Sequence, residues 1–337
     1  MSDGTVQLDD TDRRIVAALQ VNGRASWQQI ARVVGTSDST VARRAQRLLE
    51  SKAVRVVGVA DPLRCGYGYP VLVQIRCTVG AAPAVARSLA SRPDVRFVAL
   101  ITGSFDIVLE LIVSSQRHLA RVLLKELNYV PGITSTTTEN VLRHHKLSHY
   151  WSQDLLDDTA LAVLQPQPEP ALDSVPRRAD QLDMRLLELL GVDGRRSVAE
   201  LAARLDITES MARRRLEALT GDGRARFATV VQAQTLGYDV ELFVWLSVDL
   251  GHLEEIVDRL RARREVRYLS VTAGYSDLAC EVILRDADDL YRFNTQVLGS
   301  LPGIRSVELG LELQTVKRAY LLTVDTDGHL PDTVHLS

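Results

Sequence analysis

A single offset organises this chain. Gly23-Arg24-x-Ser26 recurs 171 residues later as Gly194-Arg195-x-Ser197, and the same step carries Asp12 to Asp183, Ala31 to Ala202 and Arg43-Arg44 to Arg214-Arg215. It continues through Gly66-Tyr67 and Gly237-Tyr238, Gly103 and Gly274, and Asp106 and Asp277. Pro131-Gly132-Ile133 and Pro302-Gly303-Ile304, then Lys146 and Lys317, complete the series without a gap. A register held over so many positions marks a duplicated unit, so the 337 residues must build at least two cores. Between the copies, Gln165, Pro166, Pro168 and Pro170, then Val175 and Pro176, form a proline-rich spacer that no helix can cross.

The first part of each copy has the periodicity of three short helices. Ile15, Val16 and Leu19 line one face of a helix ending near Asn22-Gly23, and Ser26 is placed to cap a second with Ile30, Ala31 and Val34 inward. Gly35 suits a left-handed exit, and Ser37 caps a third helix with the apolar stripe Val41, Ala45 and Leu48. The opposite face of that helix carries Ser39, Thr40, Arg43, Arg44 and Arg47. In the second copy Leu186, Leu189 and Leu190, then Leu201, Ala202 and Leu205, line the first two helices. Thr208 caps the third, which holds Met211, Arg213, Arg214, Arg215 and Leu219. A strand follows each set, Val54 to Val59 and Ala225 to Val231, as a small wing or a connector. Two short helices, a glycine turn and a basic third helix form the helix-turn-helix pattern.

Such a helix offers hydroxyls and arginines to base edges in a major groove, with further arginines and backbone amides on phosphates. The plain alternative is a solvated basic face, but the caps and the turn favour the reader. The expected DNA-binding residues are Ser37, Ser39, Thr40, Arg43, Arg44 and Arg47 in the first copy, and Ser210, Arg213 and Arg214 in the second. A net charge of −3 looks wrong for a nucleic-acid binder until it is taken locally. Asp9 to Arg55 holds nine Lys and Arg against five acidic residues, whereas Asp180 to Arg226 holds nine of each, so the first reader is expected to bind more strongly.

The second part of each copy is strand-rich. Val71, Val73, Ile75, Cys77 and Val79 alternate as a half-buried strand, and Val85 and Leu89 suit a short helix. Val95 to Ile101 and Ile107 to Val113 are strands joined across Thr102-Gly103-Ser104-Phe105-Asp106. Leu119, Val122, Leu123 and Leu127 mark a second helix closed by Pro131-Gly132, and Thr134 to Leu142 gives the last strand. The order βαββαβ is the ferredoxin-like arrangement, whose sheet leaves a face for pairing. The expected fold class is therefore α+β: two repeats, each a winged helix-turn-helix followed by a ferredoxin-like sensor. The expected domains are readers at 1–60 and 179–231, sensors at 61–150 and 232–325, a linker at 151–178 and a tail at 326–337.

Gly103 with Asp106, and Gly274 with Asp277, support two readings. One is a tight turn, with a positive φ at glycine and an aspartate cap; the other is an effector loop whose carboxylate holds an amino group. Thr136 and Thr138 add hydroxyls to the first loop, where the second has Val307 and Leu309 and is expected to be altered or empty. His144, His145 and His149 lack a local carboxylate or Cys to complete a metal site and are expected to be surface histidines. No catalytic triad, phosphate-cradling loop or paired metal-ligand helix is evident, so neither enzyme chemistry nor a cofactor or metal is expected. Cys65, Cys77 and Cys280 form no close pair, no apolar run spans a bilayer, and the acidic start is not a secretory signal. A cytoplasmic location is expected.

Each copy resembles the Lrp/AsnC family of prokaryotic transcription factors. The residues carrying the resemblance are Leu8-Asp9-x-x-Asp12, Gly23-Arg24-x-Ser26, Ser37-x-Ser39-Thr40-Val41-x-x-Arg44, Leu48, Gly103-x-x-Asp106, Pro131-Gly132-Ile133 and Lys146. The second copy keeps fewer, with Met211 where Thr40 stands. The resemblance implies double-stranded operator DNA as partner and sensor (RAM-type) domains that pair through their sheets. It also implies small effectors, often amino acids, and a homo-oligomer or an intrachain pseudo-dimer. An unequal pseudo-dimer implies an asymmetric operator. Siroheme decarboxylases are similar in fold and also occur as fused pairs. They carry a His- and Trp-containing segment where this chain has Gly103-Ser104-Phe105-Asp106 and Gly274-Tyr275-Ser276-Asp277, which counts against that enzyme reading.

Overall fold

The computed structural model describes residues 8–147, 151, 155–164 and 178–323. The first copy opens with helices α1 (Asp10–Val21), α2 (Trp27–Val34) and α3 (Asp38–Glu50), strand β1 (Arg55–Ala60) and the single turn α4 (Pro62–Cys65). It continues with β2 (Tyr69–Cys77), α5 (Ala82–Ala90), β3 (Val95–Ile101), β4 (Ile107–Val113), α6 (Gln116–Arg121) and β5 (Ile133–Leu147). Helix α7 (Asp158–Leu164) precedes the second copy, which begins α8 (Gln181–Val192), α9 (Val198–Leu205), α10 (Glu209–Gly221) and β6 (Ala225–Val230). Then come β7 (Val240–Val248), α11 (Leu253–Arg261), β8 (Val266–Ala273), β9 (Leu278–Leu284), α12 (Ala287–Arg292), β10 (Ile304–Arg318) and β11 (Leu321–Leu322). The compact units cut across the repeat: reader groups with reader, and sensor with sensor.

In the reader unit, local signals place the helix ends. Asp9 caps α1 by accepting the Asp12 amide, and Ser26 with Gln29 closes a reciprocal capping box on α2. Gly35 ends α2 at φ 78°, a backbone that other residues rarely adopt. Ser37 caps α3, whose stripe Val41, Ala45 and Leu48 is fully buried. Helices α8 to α10 repeat the layout under caps Asp180, Ser197 and Thr208.

The strand after each reader joins it to the other. β1 runs antiparallel to β6, from Arg55 opposite Val230 to Ala60 opposite Ala225, so the readers share one two-stranded sheet. Gly194 lies against this seam: its amide donates to the Val56 carbonyl at 2.7 Å, and a Cβ there would sit 2.9 Å from the Val57 backbone. Within the stretch read as linker, α7 packs on the first reader, with Leu164 buried and its carbonyl accepting from Asn22 Nδ2 at 2.9 Å. The proline-rich residues 165–177 lie outside the described residues.

In the sensor unit, the half-sheets run β3-β4-β2-β5 and β8-β9-β7-β10, the ferredoxin-like order in each copy. β5 then pairs with β8, and β10 with β3, closing eight strands into a ring within one chain. Closure satisfies backbone groups that an open sheet would leave at its edges. Val73, Ile75 and Leu89 lie in the core under the first copy's helices, and Val244, Ile256 and Leu260 in its counterpart. A third core, including Leu72, Phe97, Val141, Phe243, Trp245 and Tyr268, fills the ring itself. After α6 the chain makes a π-helical turn, Val122–Glu126, repeated at Phe293–Val297.

The inner core overturns two expectations. The alternation in β2 predicts one buried face, but Leu72 and Gln74 are as buried as Val71 and Val73, because the second sensor covers the other side. The strand ends at Cys77, and Val79 stands in solvent. His144 and His145 are not surface histidines either. The far half of β5 lies against β8, where His144 Nδ1 sits 2.7 Å from Ser270 Oγ and the ring meets Tyr268 edge-on. Burial, and then Arg96, hold the His144 pKa well below the ordinary histidine value. His149 lies outside the described residues.

Candidate nucleic-acid interface and effector loops

The arginines of α3 separate into two kinds. Asp12 is only 2% exposed, and its carboxylate faces Arg44 Nη1 at 3.0 Å and Arg47 Nη2 at 2.6 Å. Arg44 also reaches Asp9 at 2.6 Å. The Asp9 carboxyl is held below its usual range by the Asp12 amide first and Arg44 second. The second reader repeats this hub: Arg215 meets Asp180 at 2.6 Å and buried Asp183 at 2.8 Å. Ala218 occupies the position of Arg47 there, and Arg224 supplies the second cation at 3.2 Å from Asp183. Arg44 and Arg47, expected to face DNA, are thus tied to the start of α1, and the partners of Arg44 are the repeat equivalents of those of Arg215. The repetition of Asp9, Asp12 and Arg44 as Asp180, Asp183 and Arg215 carries this signal in the sequence.

The exposed face keeps Ser37, Ser39 and Arg43 on the first reader and Ser210, Arg213 and Arg214 on the second. Arg43, Arg213 and Arg214 have no hydrogen bond or ion pair among the described residues. Thr40 is half-buried, its hydroxyl 2.8 Å from the Ser37 cap, and Met211 is its half-buried counterpart.

Two arginines that sequence reasoning passed over hold the readers together. Arg24 donates to the Gly194 carbonyl at 2.6 Å, and Arg195 returns the bond to the Gly23 carbonyl at 2.6 Å. Arg24 lies over the Phe227 ring and Arg195 over Trp27. Burial lowers both guanidinium pKa values, that of Arg195 to about 10. The Gly-Arg-x-Ser motif is therefore a reciprocal clasp.

The two candidate effector loops are built alike and surrounded differently. Asp106 Oδ2 accepts the Cys77 amide at 2.7 Å, and Asp277 Oδ2 accepts the equivalent Val248 amide at 2.8 Å. Gly103 takes φ 103°, as a tight turn requires, and a Cβ there would meet the Leu309 carbonyl at 3.0 Å. Gly274 has no positive φ; what it needs is room, since a Cβ would lie 2.9 Å from the Thr138 carbonyl and from Glu139 Cγ. Thr136 and Thr138 lie opposite Ile75 and Val73, on the strand beside the Asp106 loop. Buried Glu139 accepts from the Ser276 amide and hydroxyl, and burial raises its pKa. Its counterpart across the ring is Gly310, beside Trp245.

The shared lysine of the repeat stitches the sensors reciprocally. Lys146 Nζ donates to the Arg263 carbonyl at 2.5 Å, and Lys317 Nζ to the Arg92 carbonyl at 2.7 Å. Burial pulls the Lys317 ammonium down to about 8. Elsewhere Glu241, Glu281 and Glu312 come close enough to share an ion, but Arg267 and Arg318 already lie among them. Burial, and then the neighbouring Glu281, push the Glu312 pKa well above the ordinary carboxylate value.

The AsnC-type helix-turn-helix model matches residues 8–49 and 180–228, and the Lrp/AsnC ligand binding domain model matches 70–151 and 241–322. The chain belongs to the Lrp/AsnC family. This tandem Lrp/AsnC protein is a transcriptional regulator with two DNA-binding helix-turn-helix domains and two ligand-binding domains. An uncharacterized HTH-type transcriptional regulator of Pyrococcus abyssi is 32% identical over 140 residues, 41% of this chain and 88% of that one. The HTH-type transcriptional regulator FL11 of Pyrococcus horikoshii is 30% identical over 142 residues, 42% of this chain and 93% of the relative. Each relative thus corresponds to less than half of the tandem chain. Among solved structures, the siroheme decarboxylase NirDL aligns over 92% of this chain and 93% of its own with a TM-score of 0.59. At 14% identity that likeness shows a shared fold and nothing of function. No described helix is long and apolar enough to cross a membrane.

Proposed function

We propose that this tandem regulator reads one asymmetric operator per chain, and that an amino acid or similar small effector tunes the reading from the sensor loops. The observation that carries the first half is the pair of readers fixed on one sheet, each presenting exposed arginines with no ion pair among the described residues. Arg43 and Arg214, with Ser39 and Ser210 beside them, are the base-edge and phosphate contacts; Arg213 adds a contact the first reader lacks. The second half rests on Asp106, Gly103, Thr136 and Thr138, with Gly274 and Asp277 as the weaker loop. The effector acts by preferring one state of the chain or its assembly.

A mobility shift on DNA from the gene's own upstream region, at two salt concentrations and with individual amino acids, tests both parts. The expected result is a salt-sensitive specific shift, weakened about tenfold or more by Arg43→Ala and altered by one amino acid. No specific shift at either salt concentration would remove the operator reading. A siroheme decarboxylase, the alternative weighed from the sequence, would then be tested by the visible absorbance of bound tetrapyrrole.

A further inference from the structure

We propose that the chain takes up a single effector molecule, at the Asp106 loop, and that the matching loop at Asp277 is closed by the chain's own Arg305, a tethered cation standing where a ligand's ammonium group would go. This rests on the effector reading above and goes further, to stoichiometry and to the residues that set it. The two aspartates are hooked to the same backbone position, Cys77 and Val248, so they form an internal comparison.

Their surroundings differ at three places along one face of the last strand. Arg305 Nη2 lies 3.3 Å from Asp277 Oδ2. The equivalent residue on β5 is Thr134, whose hydroxyl donates to the Arg76 carbonyl at 3.1 Å. Among the described residues, no cation is within ion-pair distance of Asp106. The next two residues on that face are Thr136 and Thr138 in the first sensor and Val307 and Leu309 in the second. One loop therefore offers a carboxylate with no ion pair among the described residues beside a row of hydroxyls, and the other an ion-paired carboxylate beside a row of aliphatic groups.

The Asp277–Arg305 pair is not strong in itself, since Arg305 is 62% exposed and ion pairs at the surface contribute little. Its effect comes from attachment. A free ammonium must displace a competitor that cannot diffuse away and whose effective concentration near Asp277 is of millimolar order or more. It would also meet Val307 and Leu309 where a hydrogen-bond partner is wanted, leaving its remaining N–H groups unsatisfied. The chemistry that fits the Asp106 loop is a small molecule with a primary ammonium group.

The test is calorimetric titration of the full chain with each of the twenty common L-amino acids. One equivalent of one of them is expected for the natural sequence. Thr134→Arg installs the tethered cation at the first loop and should weaken that binding by about tenfold or more. The double variant Arg305→Thr/Val307→Thr should open the second loop and bring a second equivalent. Two equivalents in the natural protein, or unchanged affinity in Thr134→Arg with its thermal melt intact, would overturn the proposal and leave the effector reading standing. Absence of binding by every amino acid would remove the effector reading and this inference with it, while the DNA shift stands or falls separately.

Discussion

Arg43 and Arg44 are neighbours in the chain, yet one points to solvent and the other back toward a carboxylate that little water reaches. Removing Arg44 leaves Asp12 with Arg47 alone, so Arg44→Ala should destabilise the reader by about 1–3 kcal/mol in urea unfolding. Arg43→Ala should stay within about 0.5 kcal/mol while weakening DNA binding, and equal stability losses would show that the two arginines do the same work. The difference was partly legible. Arg44 lies three residues after Val41 and four before Leu48, at the margin of the buried stripe, and Asp12 recurs at the repeat offset. The partner's identity was not, because Asp12 is on another helix. His144 gives a second prediction at this scale. Its folded pKa lies below the ordinary value of about 6.5, so its contribution is complete above that pH and is lost as pH falls. Arg96, His145, Tyr268 and Ser270 face it, and none of them offers a negative charge. Stability should fall by about 1.4 kcal/mol per pH unit below the ordinary value until the folded pKa is reached. His144→Gln should flatten urea midpoints between pH 7 and pH 5; an unchanged slope would place the acid sensitivity elsewhere.

At the scale of elements, the β1–β6 seam fixes the distance between readers. Gly194→Ala forces a methyl group into the Val57 backbone and should lower stability by about 1–3 kcal/mol and weaken binding to paired half-sites, although Gly194 is not on a reading helix. The reading helices carry their own difference. Thr40 offers a hydroxyl where Met211 offers a methyl-contacting surface, so the selected half-sites should differ at that base pair, with thymine favoured at the second. Selection from random duplexes should give a non-palindromic site, and Met211→Thr should make its halves more alike; a palindrome from the natural chain would mean that Met211 does not touch a base. Helix starts and stops were legible because Ser26, Gly35, Ser37 and Thr208 act locally. The coverage of β2 on both faces was not, since the inner core that holds Leu72 draws residues from both copies, and no periodicity within a strand encodes a distant neighbour. The π-helical turns left no mark in the spacing either.

For the whole molecule, the repeat predicted two readers and two sensors but left open whether they pair within or between chains. The deciding contacts, β5 on β8 and β1 on β6, join segments whose complementarity cannot be read from either copy alone. One chain should therefore protect both half-sites of an operator, with protein and DNA in a one-to-one complex by mass photometry at nanomolar concentration; an obligatory second chain would count against this. The ring also changes what a mutation can do. In a dimer of identical subunits every substitution appears twice, once on each side of the axis, and must be tolerated in both places. Here the position that is Glu139 in one half is Gly310 in the other, one bonded to Ser276 and the other set beside Trp245. Neither side had to accept the other's residue. Fusion has made each interface position two independent heritable sites, so a binding function can be kept in one half while its duplicate is rebuilt for another use.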